Sequence, residues 1–188
     1  MKHRLLLIAL ILTLNSQHST LHSQPIHPDS VITLASHYIG TPYRWAGKTP
    51  KGFDCAGFVR FVYSHYGFDL APSAGGQWRQ GRRIADDSAA VGDLVFYGGR
   101  RHGRAVGHVG IVTEVNPNGT FLFIHSSTKR GVIITSSQEA YYRHRYIGLR
   151  RLDGVAYPEP QSHILSSPFS TPYPLRPSTP PAPLKPPF

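Results

Sequence analysis

The chain has 188 residues and a mass of 20.8 kDa, enough for one domain with a real core and too little for a second of ordinary size. Its 20 Lys and Arg against 10 Asp and Glu give a net charge of +10 and a pI near 10.0, which points to anionic partners. A single cysteine, Cys55, excludes an intramolecular disulfide framework. In chain order, a basic start of Met, Lys, His and Arg leads into an apolar run from Leu5 to Leu14 and then Asn15, Ser16 and Gln17. That is the layout of a secretory signal peptide, expected over residues 1–24. The run is about half the roughly 20 residues a transmembrane helix needs, so no transmembrane span is expected. No cysteine lies nearby to carry a lipid anchor.

For an exported protein the anionic partners are wall polymers, lipid headgroups or acidic glycans, and nucleic acid is not expected. A lone thiol in an oxidising compartment is then either a buried small hydrophobe or a reactive group, and its neighbours have to decide.

Residues 15–28 read as a linker. Asp29 and Ser30 can cap a helix that carries Val31, Leu34, Ala35 and Tyr38 on one face and stops at Gly40 and Pro42. Asp54 can cap a second helix with Phe58, Val59, Val62 and Tyr66 at helical spacing and Gly67 as its stop. This places Cys55 in the first turn, where free N–H groups and the helix dipole favour a thiolate and would lower its pKa from about 8.5.

After Ala90 the pattern turns to short β-branched and aromatic runs over residues 93–97, 108–115, 120–126, 131–135 and 145–152. Helices followed by an antiparallel sheet give an α+β class. From Tyr157 to Phe188 proline with Ser and Thr takes over, and a mobile tail is expected over residues 157–188, leaving residues 25–156 as the domain.

Strand register suggests a base for the thiol. If Asn116-Pro-Asn-Gly119 is a four-residue loop, Val115 pairs with Thr120 and His125 lies opposite Gly110. His108 and His125 then share a face as diagonal neighbours about 7–8 Å apart at the backbone, close enough for one imidazole to act as a base and the other to orient it. The other nine of the 11 histidines are expected to be surface or packing residues. No His/Cys/Asp cluster has ligand spacing such as His-Glu-x-x-His, so neither a metal nor another cofactor is expected.

At these residues the sequence resembles the NlpC/P60 family of bacterial cell-wall cysteine peptidases, distant relatives of papain, over about Ser36 to Leu152. Five ordered blocks carry the resemblance: Tyr38-Ile-Gly-Thr-Pro-Tyr-Arg-Trp-Ala-Gly47, Gly52-Phe-Asp-Cys-Ala-Gly-Phe-Val59, Gly92-Asp-Leu-Val-Phe-Tyr97, Gly107-His-Val-Gly-Ile-Val112, and a histidine in the next strand. The resemblance implies a papain-like fold with the nucleophile at a helix N-terminus against five or six antiparallel strands. It implies Cys55 as nucleophile, His108 as base and then acid, His125 as the orienting residue, and Tyr43 beside the Cys55 N–H as part of the oxyanion site. Substrate contacts are expected from Asp54, from Ala56 where the family most often has serine, and from Gln77. The usual arginine near Pro72 is missing.

The basic segment Gly98-Gly-Arg-Arg-His-Gly-Arg-Ala-Val-Gly107 leads into His108, and Arg104, with Arg100 and Arg101, is a candidate for substrate carboxylates. The implied function is cleavage of peptidoglycan stem peptides or cross-links, at D-glutamyl–diaminopimelate or D-alanyl–diaminopimelate bonds, by an exported monomer. Amide cleavage or acyl transfer on the same fold, or wall binding without catalysis, are the alternatives.

Overall fold

The structure is a computed structural model that describes residues 25–99 and 105–157. The expected signal peptide, the tail beyond Tyr157 and the arginines at 100, 101 and 104 lie outside the described residues. The elements, in order, are α1 (Pro28–Ser36), the hairpin β1 (Lys48–Thr49) and β2 (Gly52–Phe53), α2 (Cys55–Ser64), α3 (Ala74–Gln77), β3 (Arg82–Ile84) and a 3-10 turn (Asp86–Ser88). There follow β4 (Leu94–Gly98), β5 (Val106–Val115), β6 (Phe121–Ser127), β7 (Gly131–Ser136), α4 (Ala140–Arg143) and β8 (Tyr146–Arg151).

Six strands form one antiparallel sheet in the order β3-β8-β4-β5-β6-β7, with β1 and β2 a separate pair. The class is α+β, as the order of patterns implied.

Two local signals set the helices. Pro28 occupies the first turn of α1, where a missing N–H costs nothing, and the imidazole of His27 takes the N-cap role expected of Asp29 and Ser30. Asp54 caps α2 as its residue type predicts: the carboxylate accepts from the Gly57 N–H at 2.6 Å, and Cys55 is the first helical residue. Gly67, at φ 81°, ends the turn after α2.

Both faces of the sheet are buried. Leu94, Phe96, Val109, Ile111 and Ile124 pack under α1 and α2 against Val31, Phe53, Phe58, Val59 and Val62. Val95, Tyr97, Val112, Phe123 and Leu149 form a second cluster closed by Tyr142 of α4. Each fully buried large apolar side chain contributes about 1.5–3 kcal/mol. This double burial is why Leu94 to Tyr97 reads as an unbroken apolar run instead of an alternating one.

Both ends of the described stretch 25–157 are hydrogen-bonded into the fold. Ile26, assigned to a linker, donates to Gly154 at 3.0 Å and accepts from Ala156 at 2.8 Å. Tyr157, assigned to the tail, lies under the Arg151 guanidinium, 4.2 Å from its centre, and its hydroxyl donates to the Gly92 carbonyl. Arg151 in turn makes two 2.8 Å bonds to fully buried Asp93. Tyr157 and the sheet are therefore tied through one ion pair whose loss would leave a buried carboxylate unpaired.

Candidate active site

Cys55 is placed by the Asp54 cap and by the loop before it. The Asp54 N–H donates to Gly47 at 2.9 Å, Arg44 donates to Phe53 at 3.0 Å, and Tyr43 makes a bridge with Phe53, so residues 43–47 fold over the start of α2. Ala46 within this loop has φ 55°, a left-handed conformation costly for a residue with a Cβ. The Tyr43 hydroxyl feels both Cys55 and Asp54. Burial first, and then those two groups, raise its pKa and keep it a neutral donor. Tyr43 is thus near enough to Cys55 and Asp54 for their charges to act on it.

The thiol lies within reach of the backbone N–H of Val109, the residue after His108, as well as those of Ala56 and Cys55 itself. Here the sequence expectation about acidity is corrected. Burial, followed by the Asp54 carboxylate, pushes the Cys55 thiol up to about 11, and the N–H groups that pull it down do not compensate. The carboxylate that caps the helix is itself one reason the helix terminus fails to acidify its first residue.

The histidine pair forms as the face argument required, by a different route. The loop is Pro117 to Gly119: Asn116 donates to Thr120 at 2.7 Å, Gly119 donates to Asn116 at 2.9 Å, and Gly119 takes φ 79°. Val115 consequently pairs with Phe121 and not with Thr120. A β-bulge at Thr113 absorbs the shift, so that Val112 pairs with Phe123 and Ile111 with Ile124, the register that sets His125 opposite Gly110.

His108 Nε2 and His125 Nδ1 are 2.9 Å apart, with the rings nearly perpendicular at 86°. Gly110 permits this approach, since a Cβ there would lie 2.7 Å from the Phe123 ring and 2.9 Å from the Ile124 carbonyl.

His125 is fully buried, stacked on Phe123 at 4.8 Å, with its Nε2 3.0 Å from Thr135 Oγ1 and 3.4 Å from the Tyr142 hydroxyl. His108 is half-buried between the rings of Tyr97 and Tyr142. Burial holds both imidazoles well below the usual histidine pKa, and at His125 the neighbouring His108 and then Arg130 disfavour a charge further. A neutral thiol beside a neutral imidazole is the resting state.

Two of the expected substrate contacts lie buried. Gln77 is fully enclosed, and its amide donates to the carbonyls of Ala56 at 3.0 Å and Ala71 at 2.9 Å, bracing the first turn of α2 from beneath. Ala56 is 3 % exposed and packs into the core. Asp54 is half-buried and spends its carboxylate on the cap. Thr135 and Tyr142 were not singled out from sequence. The register argument, carried across the Thr128 to Arg130 turn into β7, would have found Thr135, because His125 pairs with Ile133 and Thr135 is its diagonal neighbour.

The thiol, the imidazole pair and the enclosing aromatics fall within residues 40–151, the stretch that matches the NlpC/P60 family. The chain belongs to the NlpC/P60 family. It is similar to a gamma-DL-glutamyl hydrolase of Bacillus subtilis, with 34% identity over 69% of this chain and 30% of the relative. It is also similar to the murein DD-endopeptidase MepS/murein LD-carboxypeptidase of Escherichia coli, with 38% identity over 60% of this chain and 56% of the relative. The chain thus spans about a third to just over half of those relatives.

Among solved structures, an NlpC/P60 family protein from Bacillus cereus superposes with a TM-score of 0.60 at 30% identity, over 66% of this chain and 39% of the other. The NlpC/P60 domain of the peptidoglycan hydrolase SagA superposes with a TM-score of 0.56 at 31% identity, over 66% of this chain and 98% of that domain. That near-complete coverage matches a single NlpC/P60 domain.

Proposed function

We propose that this chain is an exported cysteine-type peptidoglycan endopeptidase. The observation that carries the reading is a helix-terminal thiol against the residue following His108, with the far nitrogen of His108 taken by His125 at 2.9 Å. With Nε2 of His108 engaged, Nδ1 is left to take the thiol proton. The sulfur attacks the peptide carbonyl as that proton leaves, and the developing oxyanion meets the Cys55 N–H and the Tyr43 hydroxyl. The His108 imidazolium then protonates the leaving amine, and the same imidazole activates the water that frees the acyl group. Two of the relatives' names, one for γ-DL-glutamyl bonds and one for DD and LD bonds, support stem peptides or cross-links as the substrate class.

The test is digestion of purified peptidoglycans with the wild type and Cys55→Ala, with products read by mass. Cut stem peptides or cross-links that disappear with the variant support the proposal. Free glycan lactyl ends would identify an amidase instead. Undiminished wall binding with no product from either protein would identify a binding protein.

A further inference from the structure

The hydrogen-bonded line through the two histidines does not end at His125. Its Nε2 faces the hydroxyl of Thr135, 3 % exposed on β7, at 3.0 Å, and the Tyr142 hydroxyl at 3.4 Å. A neutral imidazole has one N–H and one bare nitrogen, so a line of two imidazoles and a hydroxyl can run in either of two directions. If Thr135 accepts from His125 Nε2–H, His125 Nδ1 is bare and accepts from His108 Nε2–H, and His108 Nδ1 keeps its lone pair. If a hydroxyl donates to His125 Nε2, every proton moves to the other nitrogen, and His108 presents an N–H where a base is needed.

We infer that Thr135 is a positioning residue, the terminal acceptor that sets the direction of the His108–His125 pair so that His108 meets the thiol as a base. The inference rests on the reading of Cys55 and His108 as a catalytic pair. The same direction serves the next step, because an imidazolium at His108 must donate from Nε2 and so requires a bare Nδ1 on His125. Thr135 is suited to this end of the line by its enclosure. His125 is fully buried, and its Nε2 faces the hydroxyls of Thr135 and Tyr142, of which Thr135 is the nearer. Tyr142, farther away and the more acidic hydroxyl, is the group that would donate if the Thr135 oxygen were removed.

The test compares Thr135→Val, which keeps the shape and removes the oxygen, with Thr135→Ser, which restores it; Thr135→Ala replaces the valine variant if that does not fold. Long-range proton–nitrogen spectra of 15N-histidine-labelled protein distinguish bare from protonated ring nitrogens. The wild type and Thr135→Ser are expected to carry N–H at Nε2 of both rings. In Thr135→Val the protons move to Nδ1, and kcat for peptidoglycan cleavage falls by up to about 10²-fold, the usual scale of a lost general base, with KM little changed.

Wild-type His108 with N–H at Nδ1, or unchanged nitrogens in Thr135→Val whether or not the rate falls, would overturn the inference. If the wild type cleaves no peptidoglycan but the ring protons still shift with Thr135→Val and return with Thr135→Ser, the positioning role stands and the peptidoglycan reading fails.

Discussion

At the scale of single residues, the site is built from neutral groups. A thiol pushed up to about 11 and an imidazole held below the usual histidine range do not form an ion pair in the free protein, so in the proposed mechanism the nucleophile is generated as it attacks. Alkylation of Cys55 by iodoacetamide is therefore expected to be slow at neutral pH and to rise only as pH climbs above 9, where the thiol begins to give up its proton and the thiolate forms. A plateau of fast alkylation between pH 5 and 8 would show a standing thiolate and contradict this. With His108 as the proposed base, the acid limb of kcat/KM is set by its lowered pKa, so activity should persist below pH 6.5 and fall only as the imidazole charges.

Replacement of His125 bears on the same pair. His125→Ala is expected to reduce kcat by about 10²-fold, and His125→Asn, which still offers an acceptor, by clearly less; steady-state rates on one purified muropeptide check both.

At the scale of elements, the β5–β6 hairpin carries the proposed base and its partner, and its geometry depends on one glycine and one extra residue. The bulge at Thr113 keeps both histidines on one face despite the shorter loop. Gly110 lets the strands close between the rings. Gly110→Ala would press a methyl group onto the Ile124 backbone and the Phe123 ring, so the strands must part. A loss of about 1–3 kcal/mol is expected by denaturant unfolding, with a fall in activity larger than the unfolded fraction explains. Wild-type stability and rate in this variant would show that the hairpin has slack the geometry denies.

Helix α2 shows the opposite economy: one carboxylate, Asp54, begins the helix and also opposes ionisation of the thiol it positions.

At the scale of the whole molecule, the described residues close their own core at both ends. Ile26 bridges Gly154 and Ala156, and Tyr157 seals the Asp93–Arg151 pair. A chain ending at Tyr157 is expected to keep its Tm and its turnover of soluble muropeptides, whereas a chain ending at Ala156 loses the ring over Arg151 and melts lower. Thermal unfolding of the two truncations checks this, and equal melting temperatures would count against Tyr157 as part of the domain. The net charge of +10 acts at this scale too. It is long-range and screened, and it favours association with anionic partners more than it affects the chemistry.

Much of this was legible in the sequence because the signals are local or periodic. Asp54 before an amphipathic run fixes where α2 starts and puts Cys55 in its first turn. β-branched runs divided by turns fix five of the six strands of the large sheet, while β3 and the β1–β2 pair are too short to leave a period. The pairing of His108 with His125 could be reasoned from alternation, although the loop is one residue tighter than its composition implied and only the tertiary structure supplies the compensating bulge.

Burial belongs to the tertiary structure as well. It turned Gln77 and Ala56 from candidate contacts into supports, raised the thiol pKa instead of lowering it, and brought Thr135 from the next hairpin to the end of the histidine line. Local sequence states which groups are present and in what order. Only the packed fold determines which of them lose water, and loss of water decides both their charge and their partners.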